Sequence, residues 1–83
     1  MVNKIDEKLC LSDLNKGDEA LIEGFKNDAV GLNRLRDMGL HRGIAFRVIK
    51  FAPTGDPIEI KTRGYYLSIR KSQAKQIWIN KKK

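Results

Sequence analysis

Hydrophobic and polar residues alternate in short runs along most of this chain, and glycines and prolines separate the runs. Glu19-Ala20-Leu21-Ile22-Glu23 predicts a strand with Ala20 and Ile22 facing one way and Leu21 the other. Gly24 ends or bulges it. Ile44, Phe46 and Val48 alternate with Ala45, Arg47 and Ile49, which predicts a second strand with one apolar and one mixed face. Ile58 and Ile60 point inward in a third strand, Glu59 and Lys61 outward. After a tight turn at Arg63-Gly64, Tyr65, Leu67 and Ile69 share one face of a fourth, opposite Tyr66, Ser68 and Arg70. Ile77 and Ile79 form a closing fifth strand, with Trp78 on its other face.

Two stretches follow a different period. Asn27 or Asp28 caps a helix beginning near Ala29, in which Leu32, Leu35 and Met38 fall at spacing three. The spacing predicts an amphipathic helix of about three turns. Gly31 weakens its first turn, Gly39 is its left-handed C′ residue, and Leu40 folds back against its end. Lys71-Ser72-Gln73-Ala74-Lys75 is too short for an independent helix and predicts one helical turn packing Ala74 inward. Between these elements, Asn15-Lys16-Gly17-Asp18 reads as a turn. Phe51 to Pro57 is a connection whose last proline can open a strand but not sit inside one. Residues 1–13 are a weakly patterned lead-in. Its Leu9 and Leu11, with Leu14, cover an open edge of the core, and Ser12 or Asp13 begins a single helical turn.

These elements predict a mainly β protein: a small five-stranded SH3-like barrel with one amphipathic helix and a short helical turn before the last strand. Closure would protect the edges of so small a sheet. A barrel of oligonucleotide-binding topology also has five strands, but the one-turn bridge before the last strand favours the SH3-like arrangement. A chain of 83 residues predicts one domain with a core of about 15 to 20 side chains and little room for an internal catalytic cleft. Within it, 1–13 is the lead-in, 14–79 the core and 80–83 a basic tail.

Composition narrows the class. With 41% apolar and 33% charged residues, the chain reads as an ordered soluble domain rather than a disordered one. The single cysteine, Cys10, excludes an intramolecular disulfide framework and fits a reducing compartment. No stretch approaches the roughly 20 apolar residues that cross a bilayer, and the first residues lack the apolar run of a secretory signal. A cytoplasmic protein is the simplest expectation. The net charge of +7 is uneven: residues 1–40 hold six basic and eight acidic groups, residues 41–83 eleven basic and two acidic. Such asymmetry steers a domain toward nucleic acid, an anionic membrane surface or an acidic protein face, without choosing among them.

Candidate chemistry is sparse. His41 and Cys10 are each alone of their kind, and no recurrent spacing joins them to Asp6 or Glu7, so no metal site is expected. No carboxylate pair, activated serine or phosphate-cradling glycine loop is legible, and neither catalysis nor a cofactor is expected. A binding surface is the better reading. The helix and the Leu40-His41-Arg42 loop set Met38 or Leu40 beside a charged rim, while Tyr66, Trp78 and Ile49 offer an apolar patch on a second face. The competing reading of those aromatics is packing against helices or the amino-terminal segment. A rival function is nucleic-acid binding by Arg47, Lys61, Arg63, Arg70, Lys71 and Lys75 with Tyr66 and Trp78; Glu59 interrupts that basic face.

Five short words carry a family resemblance: Leu14-x-x-Gly17, Leu35-x-x-Met38-Gly39-Leu40-x-x-Gly43, Gly55-Asp56-Pro57-Ile58-Glu59-Ile60, Gly64-x-x-Leu67-x-Ile69-Arg70 and Ala74-x-x-Ile77. In this order and spacing, residues 14–79 resemble the ferrous-iron transport protein A family, the small cytoplasmic component of the bacterial ferrous-iron uptake system. Arg42 stands where that family commonly has proline. The same fold occurs as a carboxy-terminal domain of iron-dependent repressors, but no DNA-reading helix pair precedes it here.

The resemblance implies an accessory or regulatory protein. It would dock on the cytoplasmic part of the membrane ferrous-iron permease, which carries a G-protein domain, and lie in the cytoplasm or at the inner face of the membrane through that permease. Weak self-association is compatible with this role. A regulator can supply an arginine to a nucleotide site in trans, and Arg34, Arg36, Arg42 and Arg70 are the candidates. The partner-binding set is therefore Arg34, Met38, Leu40, His41, Arg42, Tyr66, Arg70 and Trp78.

Overall fold

The computed structural model describes residues 9–26 and 32–81. Their elements run β1 (Leu9–Cys10), a 3-10 turn (Leu11–Asp13), β2 (Glu19–Phe25), α1 (Leu32–Asp37), β3 (Ala45–Phe51), β4 (Ile58–Thr62), β5 (Tyr65–Ile69), α2 (Lys71–Ala74) and β6 (Ile77–Lys81). The expected helix start at Asn27, Asp28 or Ala29, and Gly31 within its first turn, lie outside the described residues, as do Lys82 and Lys83 of the tail.

The alternation read from the sequence holds strand by strand. Ala20 and Ile22, Phe46 and Val48, Ile58 and Ile60, Leu67 and Ile69, and Ile77 and Ile79 are all buried on one side of the sheet. Leu32, Leu35 and Leu40 from the α1 region, Ala74 from α2, and Leu11 and Leu14 complete the core. Burying a Leu or Ile side chain stabilises the fold by about 1.5–3 kcal/mol, so this face supplies most of the driving force.

The closed five-stranded barrel is not what forms. The six described strands make one antiparallel sheet in the order β1-β6-β2-β3-β4-β5, and its outer strands, β1 and β5, are not paired with each other. Two facts account for the difference. Leu9 and Cys10, read as lead-in, pair with Ile79 and Trp78 and add a sixth strand beside β6. At the other edge the Arg34 guanidinium of α1 donates to the Ser68 carbonyl of β5 at 3.5 Å, so a helix side chain covers one carbonyl of the free backbone edge without closure.

Gly24 bulges β2 rather than ending it: the register against β6 shifts between Ile22 and Gly24, and the strand continues to Phe25. A second shift in the β3–β4 pairing falls between Val48 and Lys50. Arg63 and Gly64 both have positive φ, +53° and +90°, the geometry of a two-residue hairpin turn with the twist of its strands. The helical turns have side-chain acceptors at their starts. The Asp13 carboxylate accepts from the Cys10 N–H at 2.9 Å, and that of Asp56 from the Lys71 N–H at 2.9 Å. Asp56 thus ties the loop before β4 to the start of α2, a role that turn chemistry alone did not predict.

Candidate functional site

The end of α1 builds the first surface. Gly39 has φ +104°, its N–H bonds the Arg36 carbonyl at 3.0 Å, and the Leu40 N–H bonds that of Leu35 at 3.1 Å. This paired reversal is a Schellman cap, and it drives Leu40 into contact range of the helix it follows. Leu35 and Leu40 are both fully buried. Leu40 is therefore a core residue, while Met38, one turn position earlier, stays 39% exposed.

Three further contacts fix this corner. Arg34 Nη1 donates to Met38 Sδ at 3.2 Å, and its other arm reaches Ser68. The Tyr65 hydroxyl donates to the Met38 carbonyl at the helix end. A Cβ added at Gly39 would stand 2.7 Å from the Tyr65 hydroxyl oxygen, so the glycine also makes room for the tyrosine. Sequence reasoning placed Tyr65 with the inward residues. The structure puts it on that side but at the rim, where it bridges β5 and α1.

The second surface is a row across the outward face. Glu19 of β2 lies opposite Arg47 of β3, Arg47 opposite Lys61 of β4, and Lys61 opposite Tyr66 of β5. Directly opposed residues in an antiparallel pair share a face, so these four side chains stand side by side. Both Arg47 Nε, at 3.1 Å, and Arg47 Nη2 donate to the same Glu19 oxygen, Oε2. The Lys61 ammonium sits 5.5 Å from the centroid of the Tyr66 ring, within the range of a cation–π contact. Beside the row opens a shallow recess of about 290 Å³ lined by Glu19, Arg47, Lys61, Thr62, Arg63 and Gly64. At its base the buried Thr62 hydroxyl donates to the Ala45 carbonyl at 2.8 Å.

The eight residues expected to bind a partner are thus not one site. Arg34 and Met38 meet at the helix end, with His41 and Arg42 exposed on the loop that follows. Tyr66 belongs to the outward row. Arg70 lies by Asp56, its guanidinium 4.0 Å from that carboxylate. Trp78 is half-buried, its backbone paired with Cys10 of the amino-terminal strand, and the Lys26 ammonium lies 4.5 Å from its ring centroid. Ile49 is half-buried where the β3–β4 register shifts. Of the proposed nucleic-acid set, Arg47, Lys61 and Arg63 converge, whereas Arg70 is beside Asp56 and Lys71 begins α2.

Among the described residues, no group of three or more His, Cys, Asp or Glu side chains is placed to hold a metal ion, and no helix is long and apolar enough to cross a membrane. What the two surfaces offer is charge and hydrogen-bond donors to a binding partner.

Comparison with known proteins gives one consistent picture. The family described as the FeoA domain matches residues 9–81. The solution structure of the FeoA protein from Chlorobium tepidum is similar with a TM-score of 0.81 at 37% identity, covering 88% of this chain and 70% of that one. The FeoA-like protein of Clostridium acetobutylicum superposes with a TM-score of 0.83 at 31% identity, covering 93% and 90% of the two chains. A Fe(2+) transport protein A/Fe(2+) transporter FeoB fusion protein of Porphyromonas gingivalis (strain ATCC BAA-308 / W83) is 33% identical over 69 residues. That match takes in 83% of this chain but only 8% of the length of the fusion protein.

Proposed function

The chain belongs to the FeoA domain family, and on that footing we propose that it is a non-enzymatic accessory protein of ferrous-iron transport, docking on the cytoplasmic part of a FeoB-type permease. The observation that carries this reading is the Porphyromonas gingivalis relative. There a segment similar to this chain is joined covalently to a Fe(2+) transporter. Fusion holds two modules at high effective concentration, which is of use only when they act together. A domain of this fold engages its transporter through a binding surface.

The described surface fits that task. Its clusters present donors and cations and, among the described residues, no metal-ligand set, which supports action by contact. Iron is the transporter's cargo in this scheme. The protein works in the cytoplasm, at the inner face of the membrane whenever the permease holds it there. Of the two surfaces, the Arg34–Met38 corner with His41 and Arg42, and the row ending at Tyr66, are the docking candidates; Arg70 and Trp78 lie apart from both.

The test is capture of the intact, identified permease from a detergent extract by the immobilised full chain, with and without guanine nucleotide. Retention of the permease is the expected outcome. Reproducible failure to retain it under both nucleotide conditions would overturn the proposal.

A further inference from the structure

We propose that the recess between Arg47, Lys61 and Arg63 is the docking point, and that it takes a carboxylate-bearing segment of the protein partner; this rests on the docking function above and gives it a face and a chemistry. The recess is lined by three cations and one carboxylate, a local balance of +2. Its three cations come from residues 41–83, where eleven basic residues outnumber two acidic ones. Charge complementarity therefore calls for an acidic occupant.

The molecule already shows what the recess accepts. The Glu19 carboxylate sits against Arg47, but both guanidinium donors fall on one oxygen. An incoming carboxylate can take the same two donors on two oxygens, the fork-to-fork geometry that makes Arg–carboxylate pairs strong. The resident pair is open to water, with side chains 58% and 40% exposed. Exposed pairs of this kind hold weakly, so the Arg47 guanidinium can turn to an incoming carboxylate. Lys61 and Arg63 stand ready for the neighbouring carboxylate of the same segment.

Phosphate backbones fit the face less well than carboxylates do. Glu19 stands in the row, and Glu59 lies one step along the same face, its carboxylate 3.9 Å from the Lys50 ammonium. Both limit how long an anionic segment the face can take, a carboxylate segment included. The Tyr66 ring, a base-stacking platform in a nucleic-acid interface, is faced instead by Lys61.

The experiment titrates the full chain into fluorescein-labelled hexaglutamate, and separately into a labelled thymidine heptanucleotide of equal charge, reading anisotropy at low and physiological salt. Arg47→Gln/Lys61→Gln should weaken hexaglutamate binding about tenfold or more, and Glu19→Gln should tighten it about threefold by removing the resident competitor. Lys82→Gln/Lys83→Gln should leave it within about twofold. Thermal melts of each variant check that the fold is intact. The inference is overturned if the recess variants bind hexaglutamate like the parent, if the tail variant loses as much as they do, or if the heptanucleotide binds more tightly through the same residues.

Permease capture is run with the same variants. Retention by the parent and loss with Arg47→Gln/Lys61→Gln supports the inference. Equal retention by both overturns the recess as docking point while leaving the accessory function standing. Failure of the parent to retain the permease overturns the function and with it the partner assigned here, whatever the peptide shows.

Discussion

Tyr65 and Tyr66 are neighbours in sequence, yet they belong to regions held together by different physics. Tyr65 points to the core side and bonds the end of α1, where Leu35 and Leu40 are sealed from water and Gly39 gives the backbone a turn that a side chain would strain. Tyr66 points outward into the row of Glu19, Arg47 and Lys61, where every side chain meets solvent in part. The helix-end corner stabilises the fold through burial and satisfied backbone groups. The row contributes little to stability, because exposed ion pairs are offset by hydration and side-chain entropy. A change in the corner should therefore register in unfolding, and a change in the row in binding.

Five substitutions test that division, beginning with the largest effect. Leu40→Ala removes a fully buried side chain from beneath the Schellman cap and should cost about 3 kcal/mol in denaturant unfolding. A loss below about 1 kcal/mol would mean that the corner does not carry the stability assigned to it. Gly39→Ala places a Cβ at φ +104° and against the Tyr65 hydroxyl, and should cost about 2 kcal/mol. The Gly39→Ala/Tyr65→Phe double variant separates the two causes, since removal of the hydroxyl relieves the clash but not the backbone strain.

Thr62→Val keeps the shape but takes away the donor to the Ala45 carbonyl, with an expected loss of about 1.5 kcal/mol. Because Thr62 also lines the recess, hexaglutamate titration of this variant sharpens the boundary between the regions: binding should stay close to that of the parent. Tyr65→Phe loses one exposed hydrogen bond at the helix end and should cost about 1 kcal/mol. Arg47→Gln should shift unfolding by less than about 0.5 kcal/mol, the smallest change of the five. A larger destabilisation by Arg47→Gln would show that the row supports the fold.

Much of this architecture was legible residue by residue. The inward set on every strand followed from a period of two, which a single stretch of chain declares by itself. The cap at Gly39-Leu40 and the turn at Arg63-Gly64 were equally local, because each is dictated by a backbone conformation that few residues adopt. The number of strands and the closure of the sheet were not. Leu9 and Cys10 carry too few residues to show a period, and only the presence of β6 beside them makes them a strand. Closure was inferred from the need to protect edges, but the Arg34 guanidinium meets that need at Ser68 by a contact 34 residues distant in sequence.

The candidate sites divide in the same way. Arg34 was chosen as an arginine for a nucleotide site in trans and Met38 for its place at the helix end; what brings them together at 3.2 Å is their separation of four on the helix. Leu40 was read both as folding back against the helix end and as standing at a charged rim; it is buried, because the cap that sequence did identify turns it inward. The recess depends on pairings of Glu19 with Arg47 and Arg47 with Lys61, which are 28 and 14 positions apart. Nothing along the chain marks such pairs, since a shift of one residue in register would send each to the opposite face.

Sequence by itself determined which strand side chains face the core side, where the backbone reverses, and how strongly cationic residues 41–83 are. Those properties are written in the order of neighbouring residues. The tertiary structure alone decided that the described residues form a sheet of six strands with two separate edges, and that three cations and a carboxylate from distant strands share one recess. Both depend on strand register and on which edge meets which helix, and these are set only when the whole core packs at once.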